Sequence, residues 1–199
     1  MKNYLTKDPV IKGSLAEVSK ATSQPLAVSF LNADCVVLVD VSSSMEAMDG
    51  PGGKSRYDTA CNELAALQND MPGKIAVIAF SQQTVFCPNG TPLNMGGGTD
   101  LAGALKFAKV ADVPNMRLIV VSDGQPDSPS AALALAKDYQ NRIDTIYCGP
   151  ELSPSGREFL IELAKQSGGK TTTADRVTKL NSKIQALLAD NNGRFTPEG

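Results

Sequence analysis

Two aspartates and three hydroxyl side chains stand where they could share one hard cation. Asp40-Val41-Ser42-Ser43-Ser44 follows one apolar run, and Ser122-Asp123-Gly124-Gln125-Pro126 follows another. Between them, Gly96-Gly97-Gly98-Thr99-Asp100 precedes a stretch with helical spacing. Asp40, Ser42, Ser44, Thr99 and Asp123 offer only oxygen donors, which suit Mg2+, Mn2+ or Ca2+ rather than soft metals. Hydroxyls bring no charge, so two carboxylates at most neutralise a divalent ion. Such an ion stays electrophilic and keeps coordination positions for water or an incoming anion. The three glycines let the backbone carry Thr99 close to it. Each string alone has a plainer use: Asp and Ser cap helices, a glycine triplet makes a flexible turn, and Ser-Asp-Gly is turn chemistry. Their order at the ends of the expected elements is what points to a metal.

Those elements follow from hydropathy. Residues 35–39, 75–80, 118–121 and 143–147 read as short, uninterrupted apolar runs rather than alternating ones, as suits strands covered on both faces. Between them lie stripes with helical spacing: Tyr57, Cys61, Leu64, Leu67 and Met71; Leu101, Leu105 and Ala108; Ala132, Leu135, Ala136 and Tyr139. Leu160, Leu163 and Ala164, then Val177, Leu180, Ile184 and Leu187, continue the pattern. All read as core faces. Alternating strands and helices predict an α/β fold: a three-layer, doubly wound, Rossmann-like and mostly parallel sheet with helices on both faces. The segment 84–86 follows its predecessor too soon for a crossover and reads as an antiparallel edge strand. A short strand is expected over 170–173 and a closing helix over 175–189. Residues 1–30 read as an N-terminal extension with one weak helix over 14–21, residues 31–190 as the domain, and 191–199 as a flexible tail. In such a sheet, ligands bind beyond the carboxyl ends of the strands, where strand order reverses. The three polar turns are expected to meet there.

Composition narrows the chemistry further. The 199 residues are 42% hydrophobic and 20% charged, with a net charge of −2 and no basic cluster. Direct nucleic-acid contact and an anionic membrane surface are not expected, and no apolar run approaches the ~20 residues of a membrane span. The start carries Lys2, Lys7 and Asp8 rather than an apolar leader, and the expected location is cytoplasmic. Cys35, Cys61, Cys87 and Cys148 form no close pair and read as small buried thiols. With no histidine, Ser-His-Asp and Cys-His systems are excluded.

Asp-x-Ser-x-Ser after an apolar strand, Gly-Gly-Thr-Asp-Leu downstream and Ser-Asp-Gly-x-Pro after a later strand closely resemble the metal-ion-dependent adhesion site (MIDAS) of von Willebrand factor A-type domains. The resemblance spans about residues 33–190, and all five ligand positions are filled. It implies that Asp40, Ser42 and Ser44 are direct or near-direct ligands, while Thr99 and Asp123 exchange between direct and water-mediated contact. It also implies that the last helix is a mobile element, and that an acidic side chain of a protein partner completes the metal shell. Mg2+ is the expected ion, with Mn2+ or Ca2+ as alternatives.

The leading expectation is therefore a non-catalytic, metal-dependent protein-binding module. A hydrolase using metal-bound water is one alternative, with Asp100 or Asp127 as its base, although Asp100 more naturally supports its helix start. A subunit of an intracellular ATPase- or RNA-associated assembly is another, on the resemblance alone. Gly52-Gly53-Lys54-Ser55 imitates the end of a phosphate loop, but Met48 stands where that motif needs glycine. Residues 45–56 read instead as a loop over the metal rim, with Met45, Glu46 and Met48 as contacts for a partner. A solvated loop without a role is the competing reading. Residues 81–95 supply the second such loop.

Overall fold

The computed structural model describes residues 9–124, 126–150 and 154–190; the tail expected over 191–199 lies outside them, as does Gln125. Six strands form one sheet: β1 (Cys35–Asp40), β2 (Ile75–Phe80), β3 (Thr84–Phe86), β4 (Arg117–Ser122), β5 (Ile143–Tyr147) and β6 (Thr171–Thr173). Their order is β3-β2-β1-β4-β5-β6, with β3 antiparallel to β2 and every other pair parallel. The chain moves outward one way from β1 through β2 and the other way from β4, so strand order reverses between β1 and β4. β1, β2 and all of β4 after Arg117 are buried, as sandwiched strands require.

Helices cover both faces. On one side lie α1 (Leu15–Thr22), α2 (Leu26–Leu31), α4 (Leu101–Ala108), α5 (Pro129–Lys137) and α6 (Pro154–Gln166). On the other lie α3 (Arg56–Asp70) and α7 (Leu180–Ala189). Local chemistry sets the helix starts. Ser14 accepts from the Glu17 N–H, Ser55 from that of Asp58 and Asp100 from that of Gly103, each satisfying an amide that the helix leaves without a partner. Ser55, the serine of the phosphate-loop imitation, is thus a helix cap.

Two elements depart from expectation. The N-terminal segment carries a second helix, α2, and inserts Leu15 into the core. The closing helix is not continuous from 175 to 189. A 3-10 turn over Asp175–Val177 precedes α7, and Arg176, Val177 and Lys179 have positive φ of 48°, 65° and 60°. Left-handed backbone at these residues breaks the helical hydrogen-bond ladder. Val177 and Leu180 are nonetheless both buried, which is why their spacing imitated one helix.

β5 is not the uninterrupted apolar run it was read to be, since Asp144 and Thr145 lie inside it. Asp144 is fully buried at the amino end of the sheet. Its Oδ2 accepts from Arg117 at 2.8 Å and stands 3.2 Å from Arg142 Nε, while Oδ1 accepts the Lys170 N–H at 2.8 Å. Both arginines also donate to carbonyls of Leu187 and Asp190 at the end of α7. Removing one member of such a buried group leaves uncompensated charge, which costs about 3–5 kcal/mol. Asp144→Ala is expected to lose that much in urea unfolding; a loss below about 1 kcal/mol would show that the arginines are satisfied elsewhere.

Candidate metal site

Asp40 is the last residue of β1 and is fully buried at the point of strand reversal. Its Oδ1 accepts the Ser42 N–H at 2.8 Å, and its Oδ2 accepts the Ser122 hydroxyl at 2.6 Å. Both of these donors are neutral. Burial pushes the Asp40 carboxyl up to about 6; the hydrogen bonds from Ser122 and Ser42 pull it down, and the charge of Asp123 raises it again. Ser42 is buried, and its Oγ lies 3.0 Å from that of the exposed Ser44.

The glycine turn is stitched to this first turn through its backbone. Gly97 donates its N–H to Ser43 Oγ at 2.8 Å, Ser43 N–H donates to the Gly97 carbonyl, and Gly96 N–H donates to the Val41 carbonyl. Gly96 and Gly97 both have positive φ, the left-handed region in which glycine is free of Cβ strain. The third turn joins through Asp127, which accepts the Thr99 N–H at 3.1 Å and donates its own N–H to the Thr99 carbonyl at 2.9 Å. A Cβ on Gly98 would come within 2.7 Å of the Asp127 carboxylate, so the approach of these turns depends on that glycine. All five residues singled out from the sequence therefore stand on one rim at the carboxyl ends of β1 and β4.

Among the described residues, no group of three or more His, Cys, Asp or Glu could hold a metal ion. An ion here depends on the hydroxyls. The donor set fits a hard divalent cation: a buried carboxylate met only by neutral donors, paired serine hydroxyls, and a second carboxylate on the adjacent strand end. Asp100 caps α4 and Asp127 holds Thr99, so both carboxylates considered as a base are engaged by backbone amides.

Two charged residues of the rim were not picked out from the sequence. Arg56, the first residue of α3, is 6% exposed and donates from Nη1 to Asp123 Oδ2 at 2.9 Å. Its Nε and Nη2 donate to the two oxygens of Asp49 at 2.9 and 2.6 Å. The hydrogen bonds to Asp49 raise the Arg56 pKa above its already high value, and those from Arg56 lower that of Asp49. An arginine at a helix start opposes the macrodipole, and that mismatch was the available signal. Met45, expected as a partner contact, is fully buried, with its Sδ 3.7 Å from Cys148 Sγ. Its side chain fills the core beneath the loop. Glu46 and Met48 are exposed on the rim, Met48 to 67%.

No protein-family model matches the sequence, and no curated protein sequence matches it. Solved structures do share its fold. An aerotolerance-related membrane protein from Bacteroides fragilis, carrying multiple mutations to serines, aligns over 77% of this chain and 97% of its own at 17% identity, with a TM-score of 0.64. A von Willebrand factor type A protein from Catenulispora acidiphila aligns over 78% and 41% at 18% identity, TM-score 0.58. Proximal thread matrix protein 1 from the mussel byssus, solved with zinc in its MIDAS motif, aligns over 79% and 45% at 20% identity, TM-score 0.54. This chain thus spans less than half of the latter two. No helix among its described residues is long and apolar enough to cross a membrane.

The position of Asp40 sets a pH dependence. A carboxyl raised on folding favours the protonated native state, so its stabilisation is complete below the unfolded value near 4 and is lost as pH rises through about 6. For a buried carboxyl raised from near 4 to about 6, the loss is up to roughly 3 kcal/mol. Chelator-treated protein is expected to unfold more readily at pH 7.5 than at pH 5, and Asp40→Asn to remove that difference. Equal pH dependence in the two proteins would rule out Asp40 as its source.

Proposed function

From its von Willebrand factor A-type fold, we propose that this chain is a non-catalytic recognition module. In this reading Asp40, Ser42, Ser44, Thr99 and Asp123 hold one divalent cation, Mg2+ in the first instance, at a cytoplasmic location. The observation that supports it most is the meeting of three separate turns around Asp40, a buried carboxylate given only neutral hydrogen-bond donors. The cation, when bound, supplies an electrophilic position for a carboxylate of a protein partner.

The residues around the site bear on why a cation is needed. Glu46, Asp49, Asp123 and Asp127 leave the rim rich in negative charge, which by itself repels an acidic partner. A divalent ion offsets that charge and offers a coordination position to a carboxylate. A metal–carboxylate contact alone does not meet the several kcal/mol that association costs, so neighbouring loops must add contacts. Exposed Ser43, Glu46, Met48 and Gln82 are the side chains available there. The loop over residues 81–95 is held in place, with Tyr57 donating to the Pro92 carbonyl and Gln68 to that of Gly90. A fixed loop loses little freedom when a partner docks.

Isothermal titration of chelator-treated protein with Mg2+ and with Mn2+ tests this reading. One saturable site is expected in the wild-type protein and none in Asp40→Ala. Binding that survives in Asp40→Ala would place the ion elsewhere, and no binding in either protein would remove the metal from the proposal.

A further inference from the structure

We propose that Arg56 is a built-in competitor for the metal, a tethered cation that occupies Asp123 until a divalent ion takes its place. The inference rests on the metal reading of the site and adds a means by which the chain weakens and times its own loading.

The geometry carries the argument. Arg56 uses Nη1 on Asp123 and its other two nitrogens, Nε and Nη2, on Asp49. The fork to Asp49 is bidentate, the stronger and more directional of the two pairings. Arg56 can therefore release Asp123 without becoming an unpaired buried charge. Asp123 has no such second cation: its carboxylate pairs with Arg56 alone among the ion pairs of the described residues. Loading exchanges one cation for another at Asp123, while the pair with Asp49 stays intact.

Charge balance agrees with this exchange. Asp40, Asp49 and Asp123 against Arg56 leave this group of four side chains two charges negative. A divalent ion on Asp40 and Asp123 restores neutrality, with Asp49 and Arg56 balancing each other.

The placement of Arg56 is also locally unfavourable. It stands at the first position of α3, where the dipole disfavours a cation, and it is nearly inaccessible to water. Local preferences broken in this way are expected at sites where function requires it. The loop that carries Asp49 is closed onto the same helix start: Arg56 N–H donates to the Ala47 carbonyl, and Gly50 N–H donates to that of Lys54. Gly52 and Gly53, at positive φ of 70° and 72°, turn the chain between them. The Gly-Gly-Lys-Ser string thus serves to present Asp49 to Arg56, and a partner that touches the exposed Met48 or Lys54 touches the loop that holds the competitor.

Mn2+ titration of chelator-treated wild-type protein, Arg56→Gln, Asp49→Asn and the double variant tests the proposal, with circular dichroism as the check on folding. Arg56→Gln is expected to bind Mn2+ about tenfold tighter, since one charge-assisted hydrogen bond to Asp123 no longer opposes the ion. Asp49→Asn is expected to bind several-fold weaker, because Arg56 then depends on Asp123 alone. In the Arg56→Gln background the same Asp49→Asn change is expected to have no effect, a non-additivity that a simple change in surface charge does not produce.

Folded Arg56→Gln with unchanged or weaker Mn2+ binding overturns the proposal, as does an equal effect of Asp49→Asn in both backgrounds. If Arg56→Gln fails to fold, Asp49→Asn decides, and unchanged or tighter binding there overturns the proposal. Absence of Mn2+ binding in all four proteins defeats the metal reading itself, whereas wild-type binding without the Arg56 effect defeats only the competition.

Discussion

The carboxylate of Asp40 is taken out of water at the end of the central strand and given one amide and one hydroxyl as donors. Burial of an ionised group costs several kcal/mol unless charge meets it. The sheet creates this cost because β1 lies between β2 and β4 and its last residue is covered by three turns. The surrounding features answer to that one constraint. Hydroxyls gather beside the carboxylate, the glycine turn closes over it, and a second carboxylate arrives on the next strand end. In the proposed reading a divalent ion settles the balance.

The other end of the sheet shows what a purely structural solution looks like. Asp144 is buried as fully as Asp40, but Arg117 approaches it from the start of the neighbouring β4, Arg142 from just before its own strand, and the Lys170 amide completes the set. Those guanidinium groups also bind the end of α7, so the cluster closes the fold. Asp40 receives no equivalent in the ion pairs of the described residues; Arg56 of its rim is spent on Asp123 and Asp49. One residue type thus serves two ends of one sheet. The difference lies in whether protein cations reach it.

Arg56 is where these two patterns meet. It resembles Arg142 of the amino end in being buried and paired, yet it sits on the rim with the oxygen donors and touches only one of the two carboxylates proposed as ligands. It is also the residue through which the loop over 45–56 bears on the site. Met45 anchors that loop in the core, Ser55 ends it as a helix cap, and Asp49 faces inward to Arg56.

Much of this was legible in the sequence by itself. The runs ending near Val39, Phe80 and Val121 marked the central strands, because residues covered on both faces must be apolar throughout. The polar turns after them marked the rim, because a doubly wound sheet presents its strand ends together. The spacing of Leu101, Leu105 and Ala108 marked a helix for the same reason of one-sided burial. Only the tertiary structure decided how charges were matched. Arg56 and Asp123 are 67 residues apart, and Asp144 meets Arg117 across 27. Periodicity records which face of an element is dry, but it does not record which charge a folded chain brings to another. The break before α7 escaped notice for a related reason: burial of Val177 and Leu180 is what periodicity detects, while the left-handed turn that permits both is decided by packing.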